Sequence, residues 1–235
     1  MRVEPYAKDM IVHVVKRGTR GMNIVRDESD RRHFVQSLLY LNDEYQDENW
    51  RKTITQVPFL TRPAHWPNQK RLVDVLAWTL IPNHLHLILR ACADKAIGKF
   101  MQRLCGSMSS RFNAKYEEKG SLFQGAYKGR VVETEADLRW LASYVMVKNV
   151  FELYPGGLLK AAKHFENAWQ QAIKYQYSSM AVYANNSRSP IITLKDNPVL
   201  DLFPKPEQFK KDSRDMIIGF IDKDISDALT YLMLE

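Results

Sequence analysis

The pattern of apolar and polar positions predicts a series of strands and helices in the first two thirds of the chain. Apolar, β-branched stretches predict strands at residues 10–15, with a continuation at 22–25, and at 73–80, 85–90 and 122–132. Apolar positions at helical spacing predict helices at about 29–46, 95–116 and 133–152. Mostly antiparallel strands with helices packed on one face satisfy this order. The predicted fold class is therefore α+β, with a ferredoxin-like antiparallel sheet.

The rest of the chain follows a different pattern. Residues 47–70 are polar and contain three prolines, which predicts an irregular excursion between the first helix and the second strand. Residues 161–183 have a helical pattern, residues 185–190 resemble a linker, and residues 206–234 suggest two more helices. We therefore predict two domains, an α+β domain at 1–158 and a helical C-terminal extension at 159–235.

Composition and charge restrict the classes of function. The 235 residues carry a formal net charge of +7, which favours polyanionic partners such as nucleic acid. Two cysteines are too few for a disulfide scaffold or a zinc site of their own. No apolar run is long enough for a membrane helix, and the first residues lack the apolar stretch of a secretion signal. We expect a cytoplasmic protein without a membrane partner.

Two histidines stand out for their spacing. If residues 85–90 and their neighbours form a strand, His84 and His86 point to one face, whereas Leu85, Leu87 and Leu89 point to the other. Two adjacent imidazoles can form a pair of metal ligands. The alternative is a pair of polar side chains on a solvated sheet face. The other histidines, His13, His33, His65 and His164, have no partner at a useful spacing and are interpreted as structural or exposed.

The tract at residues 81–87, Ile-Pro-Asn-His-Leu-His-Leu, resembles the histidine-hydrophobic-histidine motif of the HUH endonucleases. The resemblance is to the IS200-like single-tyrosine transposases, and most closely to the REP-associated tyrosine transposases. Further matching pieces occur in the family's order, and the resemblance extends over roughly residues 8–158. These pieces are residues 13–18, 100–104, 112–113, 120–124, 127–128 and 144–145.

The resemblance implies a reaction and a set of ligands. A tyrosine attacks a phosphodiester of single-stranded or hairpin DNA, with help from a divalent metal, Mg²⁺ or Mn²⁺. Tyr144 occupies the position of the nucleophile, with a core aromatic as its alternative role and with Tyr127 and Tyr154 as reserve candidates. His84 and His86 occupy the positions of two ligands. Relatives with long tails favour a monomer over a homodimer.

The sequence departs from the family at the third ligand. A Gln or Asn usually follows the tyrosine by four residues, but Lys148 stands at that position and Asn149 comes one residue later. On an ideal helix, an offset of five residues turns the side chain by about 140°. Either the helix is locally altered so that Asn149 binds the metal, which is our prediction, or the protein supplies two ligands only. Lys148 could alternatively place a positive charge near the phosphate.

Basic residues near these motifs are the candidates for contacts with DNA, and solvated surface charge is the alternative role for each. They are Lys16, Arg17, Arg20, Arg103, Arg111, Lys128, Arg130 and Lys148. Two functions fit the sequence. The first is a transposase-like endonuclease that nicks and rejoins DNA, and the second is a domesticated DNA-binding module that keeps the fold without strand transfer.

Overall fold

Four antiparallel strands form the central sheet of the computed structural model, which describes residues 6–222, 230, 233 and 234. The strands are β1 (Ile11–Arg17), β2 (Val73–Ile81), β3 (His84–Ala91) and β4 (Lys128–Val131), in the spatial order β2-β3-β1-β4. Pro82 and Asn83 form the turn between β2 and β3, where proline's missing N–H costs no ladder bond. This topology confirms the predicted α+β, ferredoxin-like fold.

Ten α-helices lie in the described residues, and the longest of them connects the third strand to the fourth. The helices are α1 (Glu28–Tyr40), α2 (Trp50–Thr53), α3 (Ala96–Tyr116), α4 (Glu135–Ser143), α5 (Asn149–Phe151), α6 (Gly157–Lys163), α7 (Phe165–Ile173), α8 (Met180–Asn185), α9 (Pro198–Leu202) and α10 (Pro206–Ile221). A single π-helical turn, Tyr144–Lys148, joins α4 to α5. Within the part of the chain that the structure describes, no helix is both long and apolar enough to span a bilayer.

Helices cover both faces of the sheet. Leu85, Leu87 and Leu89 are fully buried on the face that packs against α1 and α3, where Phe34 of α1 contacts Trp78 of β2 at 5.7 Å between ring centroids. We predicted helices on this face alone. The opposite face, which carries the histidines, lies under the π-helical turn at Tyr144–Lys148, so it is buried rather than solvated.

Three predicted boundaries differ from the structure. The first helix ends at Tyr40 rather than near residue 46, because the Asn42 side chain bonds to the backbone of Leu72 and Val73 and turns the chain towards β2. Residues 22–25 are not a strand, since the Ile24 amide donates to the Pro82 carbonyl instead. The last strand is shorter than 122–132 because Gly125 adopts a left-handed φ of 55°, which interrupts extended backbone.

The C-terminal extension packs onto the outer edge of β2. The Leu80 amide donates to the Tyr177 carbonyl at 2.8 Å, and the Ser179 amide donates to the Trp78 carbonyl at 2.9 Å. These bonds pair an edge strand that would otherwise expose its backbone. The division into domains at residue 158 stays a prediction. The second helix predicted within 206–234 falls largely outside the described residues, whereas α10 accounts for the first.

Buried His33 gives the fold a testable pH dependence. Burial, helped by the nearby charge of Arg111, lowers the pKa of His33 to about 4. Between pH 6.5 and 4 the unfolded chain therefore binds a proton at this position that the folded chain does not. The free energy of unfolding should fall by up to about 3 kcal/mol as the pH drops through this window. Denaturant unfolding of wild type and of His33→Gln at pH 7.5 and 4.5 measures it, and an equal loss in both proteins would contradict this assignment.

Candidate active site

The β2–β3 hairpin presents two histidines to one face of the sheet. His84 and His86 are two residues apart on β3, and their ring centroids lie 4.8 Å from each other. Both side chains are buried, with His86 fully so. The Nδ1 atom of His84 lies 2.8 Å from Oδ1 of Asn83, a contact that orients the ring. The predicted alternation of the strand therefore brings the two imidazoles together.

A third histidine, on the neighbouring strand, joins this pair. His13 of β1 is fully buried, and its Nε2 atom lies 3.0 Å from Nδ1 of His86. The two rings stack with centroids 5.2 Å apart. The sequence analysis did not identify His13 as part of this group, because its partner His86 lies 73 residues away along the chain. The signal was the pairing of β1 with β3, which sets Val15 opposite His86 and thereby places His13 diagonally beside it.

The helix that follows β4 changes its geometry at the tyrosine. Tyr144–Lys148 form a π-helical turn, in which the Asn149 amide donates to the Tyr144 carbonyl five residues earlier. Each such turn holds one more residue than an α-turn, so the fifth residue takes the place that the fourth has on an α-helix. The local alteration that would bring Asn149 towards the side of Tyr144 is therefore present. The role of Asn149 as a metal ligand stays a prediction.

Tyr144 lies in an aromatic and cationic environment beside the histidines. Its side chain is fully buried, and its ring centroid is 5.9 Å from that of His86 and 6.3 Å from that of His13. Trp140 stacks on the tyrosine ring at 5.2 Å, and Phe220 of α10 contacts it at 6.2 Å. The tyrosine and the histidines, which are far apart in sequence, thus meet at one place under a cover of aromatic side chains.

Lys148 occupies the position where the family has a ligand. Its side chain is buried, with an ion pair to Glu152 at 2.9 Å. Its Nζ atom lies 4.9 Å from the centroid of the Tyr144 ring and 5.1 Å from that of Phe220. A lysine ammonium is not a metal ligand, but it places positive charge beside the phenol. This arrangement fits the alternative role that the sequence left open for Lys148.

The donor atoms at this place suit a divalent metal. Nε2 of His86 and Oδ1 of Asn149 are buried and have no hydrogen-bond partner within the described residues, and Nε2 of His84 is buried as well. Burial, together with repulsion from neighbouring basic side chains, holds the pKa of His86 well below its ordinary value, so the imidazole is neutral, as a ligand must be. Among the described residues, no group of three or more His, Cys, Asp or Glu side chains is arranged to hold a metal.

Three of the predicted DNA-binding residues lie on the histidine face of the sheet. Arg17 pairs with His84 across β1 and β3, whereas Lys128 and Arg130 of β4 pair with Val15 and His13 of β1. Directly paired residues point to the same side of a sheet, so these cations line the approach to the histidines. Arg20 lies in the exposed turn that follows β1, at the end nearest His84.

The structure does not bring three other basic residues to this face. Lys16 is buried on the opposite face, over the Phe123 ring, and donates to the Gly125 carbonyl. Arg103 and Arg111 are on α3, where they donate to the Asp43 carbonyl and to the Ser29 hydroxyl, respectively. These contacts favour structural roles for the three residues, and their contact with DNA stays a prediction.

Residues 63–148 match the family model described as "Transposase IS200 like". This part of the chain is similar to the IS200-like transposase family. The match confirms the resemblance found in the sequence, and it includes His84, His86 and Tyr144 but ends one residue before Asn149. β1, with His13 and Arg17, and the C-terminal extension lie outside the IS200-like region.

Comparison with solved structures finds a distant similarity over most of the chain. A solved structure described as "Structure of the REP associates tyrosine transposase bound to a REP hairpin" is 12% identical to this chain, with a TM-score of 0.46. The likeness covers 83% of this chain and 91% of that chain. No curated protein matches the sequence.

Proposed function

We propose that this chain is a metal-dependent endonuclease and strand transferase for single-stranded or hairpin-bearing DNA, with Tyr144 as the nucleophile. The observation that carries the proposal is the convergence of Tyr144 with His86 and His13 at ring distances of about 6 Å. The match of residues 63–148 to the IS200-like transposase family model supports the same class of reaction. A phosphodiester transfer needs a nucleophile and positive charge that stabilises the transition state. Tyr144, the imidazoles as metal ligands and the nearby cations can supply them.

The proposed chemical step conserves the energy of the bond that is cut. The phenol oxygen of Tyr144 attacks the DNA phosphorus as its proton leaves, and the bond from phosphorus to the 3′ oxygen breaks. The 3′ oxygen takes a proton and leaves as a hydroxyl, while the 5′ phosphate stays on the tyrosine. Attack by a 3′-hydroxyl on this phosphotyrosine reverses the step, so strands can be joined without a nucleotide cofactor.

His84, His86 and Asn149 are the residues that would hold the metal. A bound Mg²⁺ or Mn²⁺ supplies Lewis acidity at a phosphate oxygen, and imidazole donors suit Mn²⁺ better than Mg²⁺. Basic residues of the chain stabilise charge and bind the phosphates. Lys148 stabilises negative charge that develops on the attacking oxygen, and Arg17, Lys128 and Arg130 hold the phosphates on the histidine face.

The burial of Tyr144 adds a requirement to this proposal. The phenol is fully buried between Trp140 and Phe220, so a phosphodiester reaches it only after part of this cover moves. Phe220 is on α10 of the C-terminal extension, whereas Trp140 is on the same helix as the nucleophile. Movement of α10 is therefore the simpler way to uncover the tyrosine, because it leaves the histidine pair and the π-helical turn in place.

Covalent trapping tests the proposal. Labelled hairpin DNA, incubated with wild type and Mn²⁺ or Mg²⁺, should give a protein–DNA adduct that survives denaturing electrophoresis. Tyr144→Phe removes only the phenol oxygen and should lower the adduct yield by about 10³-fold or more. Tyr154→Phe is the matched control, because Tyr154 bonds to Asn167 in another part of the molecule. Absence of an adduct with every hairpin and single strand, with either metal, would overturn the enzyme proposal.

The second candidate is a DNA-binding module of the same fold without strand transfer. The observation that favours it is Lys148, which follows Tyr144 by four residues, the sequence offset of the family's third ligand, and forms an ion pair with Glu152. This candidate expects hairpin binding with no adduct in wild type, and no change in affinity when Tyr144 becomes phenylalanine. The trapping experiment therefore separates the two functions.

A further inference from the structure

An ion pair follows the nucleophile on the same helical segment, and the proposed reaction uses only its cation. Nζ of Lys148 lies 2.9 Å from Oε1 of Glu152. The side chain of Lys148 is 2% exposed, whereas that of Glu152 is 37% exposed. The protein therefore encloses the ammonium group, while the carboxylate that neutralises it reaches the surface.

The backbone after the π-helical turn sets up this pair. The π-helical turn ends at Lys148, and the Glu152 amide then donates to the Lys148 carbonyl at 3.1 Å, as in an ordinary α-turn. Residues four apart on an α-helix lie on the same side of it. The chain thus has a lysine at the sequence offset where the family has an amide, and a carboxylate one α-turn later that compensates its charge.

The surroundings of the ammonium group place it where a phosphate would arrive. Nζ of Lys148 is 4.9 Å from the ring centroid of Tyr144 and 5.1 Å from that of Phe220. Burial lowers the pKa of His86, and repulsion from Lys148 and Arg17 adds to this effect, so the charge of Lys148 acts on the histidine side of the site. A phosphodiester that reaches the phenol of Tyr144 therefore comes close to this ammonium group.

One ammonium group cannot serve two anions equally well at this place. Removing an ammonium group from water is unfavourable unless an anion compensates its charge, and Glu152 supplies that anion. A phosphate oxygen can take the same role, because lysine forms charge-assisted hydrogen bonds with carboxylates and with phosphates alike. A phosphate and the Glu152 carboxylate, both close to Nζ, would repel each other. The two anions should therefore compete for Lys148.

We propose that Glu152 is a counterion which a DNA phosphate displaces from Lys148, so that this carboxylate weakens DNA binding by about one phosphate contact. Lys148 is as deeply buried as Tyr144, so the movement that uncovers the phenol uncovers the ammonium group too. The displaced carboxylate is already partly exposed and becomes hydrated. The inference rests on the proposed function for the phosphate at this place, and it adds a residue that regulates affinity for that phosphate.

The dependence of DNA affinity on salt tests the inference. Fluorescence anisotropy with a labelled hairpin measures affinity over a range of salt concentrations, with EDTA present so that no strand is cut. Glu152→Gln removes the charge and keeps the shape of the side chain. One additional phosphate contact steepens the plot of log affinity against log salt by about 0.7 to 0.9. We expect this change, together with an affinity about three- to eightfold higher at about 0.1 M salt.

Two controls separate this effect from a general change of charge or stability. Glu118→Gln removes the same charge from an ion pair with Arg26, and Glu118 is also 37% exposed. Arg26 stacks on Phe112 and Tyr116, away from Tyr144, so this variant should keep the slope of the wild type. In a Lys148→Met background, Glu152→Gln should change neither slope nor affinity, because no ammonium group remains to be released.

The outcomes distinguish the inference from the proposed function. If the wild type binds the hairpin and Glu152→Gln leaves slope and affinity unchanged, or lowers the affinity as a destabilised fold would, the inference is overturned and the proposed function stands. An equal effect of Glu152→Gln with and without Lys148, or an equal effect of Glu118→Gln, overturns it as well. If the wild type binds no hairpin, both fail.

Discussion

His86→Ala is expected to lower the affinity for Mn²⁺ by more than about 100-fold and to abolish adduct formation. Loss of a group that merely supports a metal ligand already costs about 10- to 100-fold in affinity, and loss of the ligand itself should cost more. His86 is fully buried, and its neutral imidazole directs Nε2 to no partner in the described residues. Electron paramagnetic resonance of free Mn²⁺, titrated with protein, measures the affinity directly.

A second buried histidine provides the control for this substitution. His33→Ala removes an imidazole that stacks on Trp50 and bonds to Ser107, away from Tyr144. It should reduce stability, as circular dichroism would record, without changing Mn²⁺ affinity. Equal Mn²⁺ binding by wild type and His86→Ala would contradict the metal site, even if the variant were inactive on DNA.

His13→Leu is expected to lower Mn²⁺ affinity by about 10- to 100-fold. With Nε2 of His86 reserved for a metal, Nδ1 carries the proton and donates to Nε2 of His13 at 3.0 Å. The opposite tautomer would leave a buried N–H of His86 without an acceptor, which costs about 1–3 kcal/mol. His13 is therefore a positioning residue that fixes the tautomer of His86.

Rescue by a conservative variant separates this role from packing. His13→Gln can still accept a hydrogen bond through its amide oxygen, so it should recover most of the Mn²⁺ affinity that His13→Leu loses. Nitrogen-15 NMR of the imidazoles reports the tautomer, and His86 should be protonated at Nδ1 in wild type. The same affinity in the leucine variant as in wild type, or protonation of His86 at Nε2, would contradict the assignment.

Local rules predicted the parts of the site that depend on neighbours in sequence. Strand alternation was sufficient to set His84 and His86 on one face, because their relation depends only on extended backbone between them. Helical spacing put Tyr144 on a helix, and the family resemblance singled it out as the nucleophile, but neither could decide the position of Asn149. The π-helical turn that decides it depends on packing between this helix, the sheet and α10, which no short stretch of sequence encodes.

Non-local contacts account for what sequence reasoning missed. His13 meets His86 only because β1 pairs with β3 in one particular register, across 73 residues of chain. Lys16 and Arg17 form a basic pair in the sequence, but consecutive residues of a strand point to opposite faces of the sheet. Lys16 is therefore buried on the face opposite Arg17. The extension could be predicted as helical, whereas its pairing with the edge of β2 through Tyr177 and Ser179 could not.

Mass spectrometry of the trapped adduct tests the central claim most directly. Tryptic cleavage after Arg139 and Lys148 gives a peptide, residues 140–148, in which Tyr144 is the sole tyrosine. Tyr127 and Tyr154 fall on the separate peptides 120–128 and 149–160. After nuclease digestion, we expect a 5′-phosphonucleotide on Tyr144 within peptide 140–148. Nucleotide attached to Tyr127, to Tyr154 or to any other residue would contradict the proposed nucleophile.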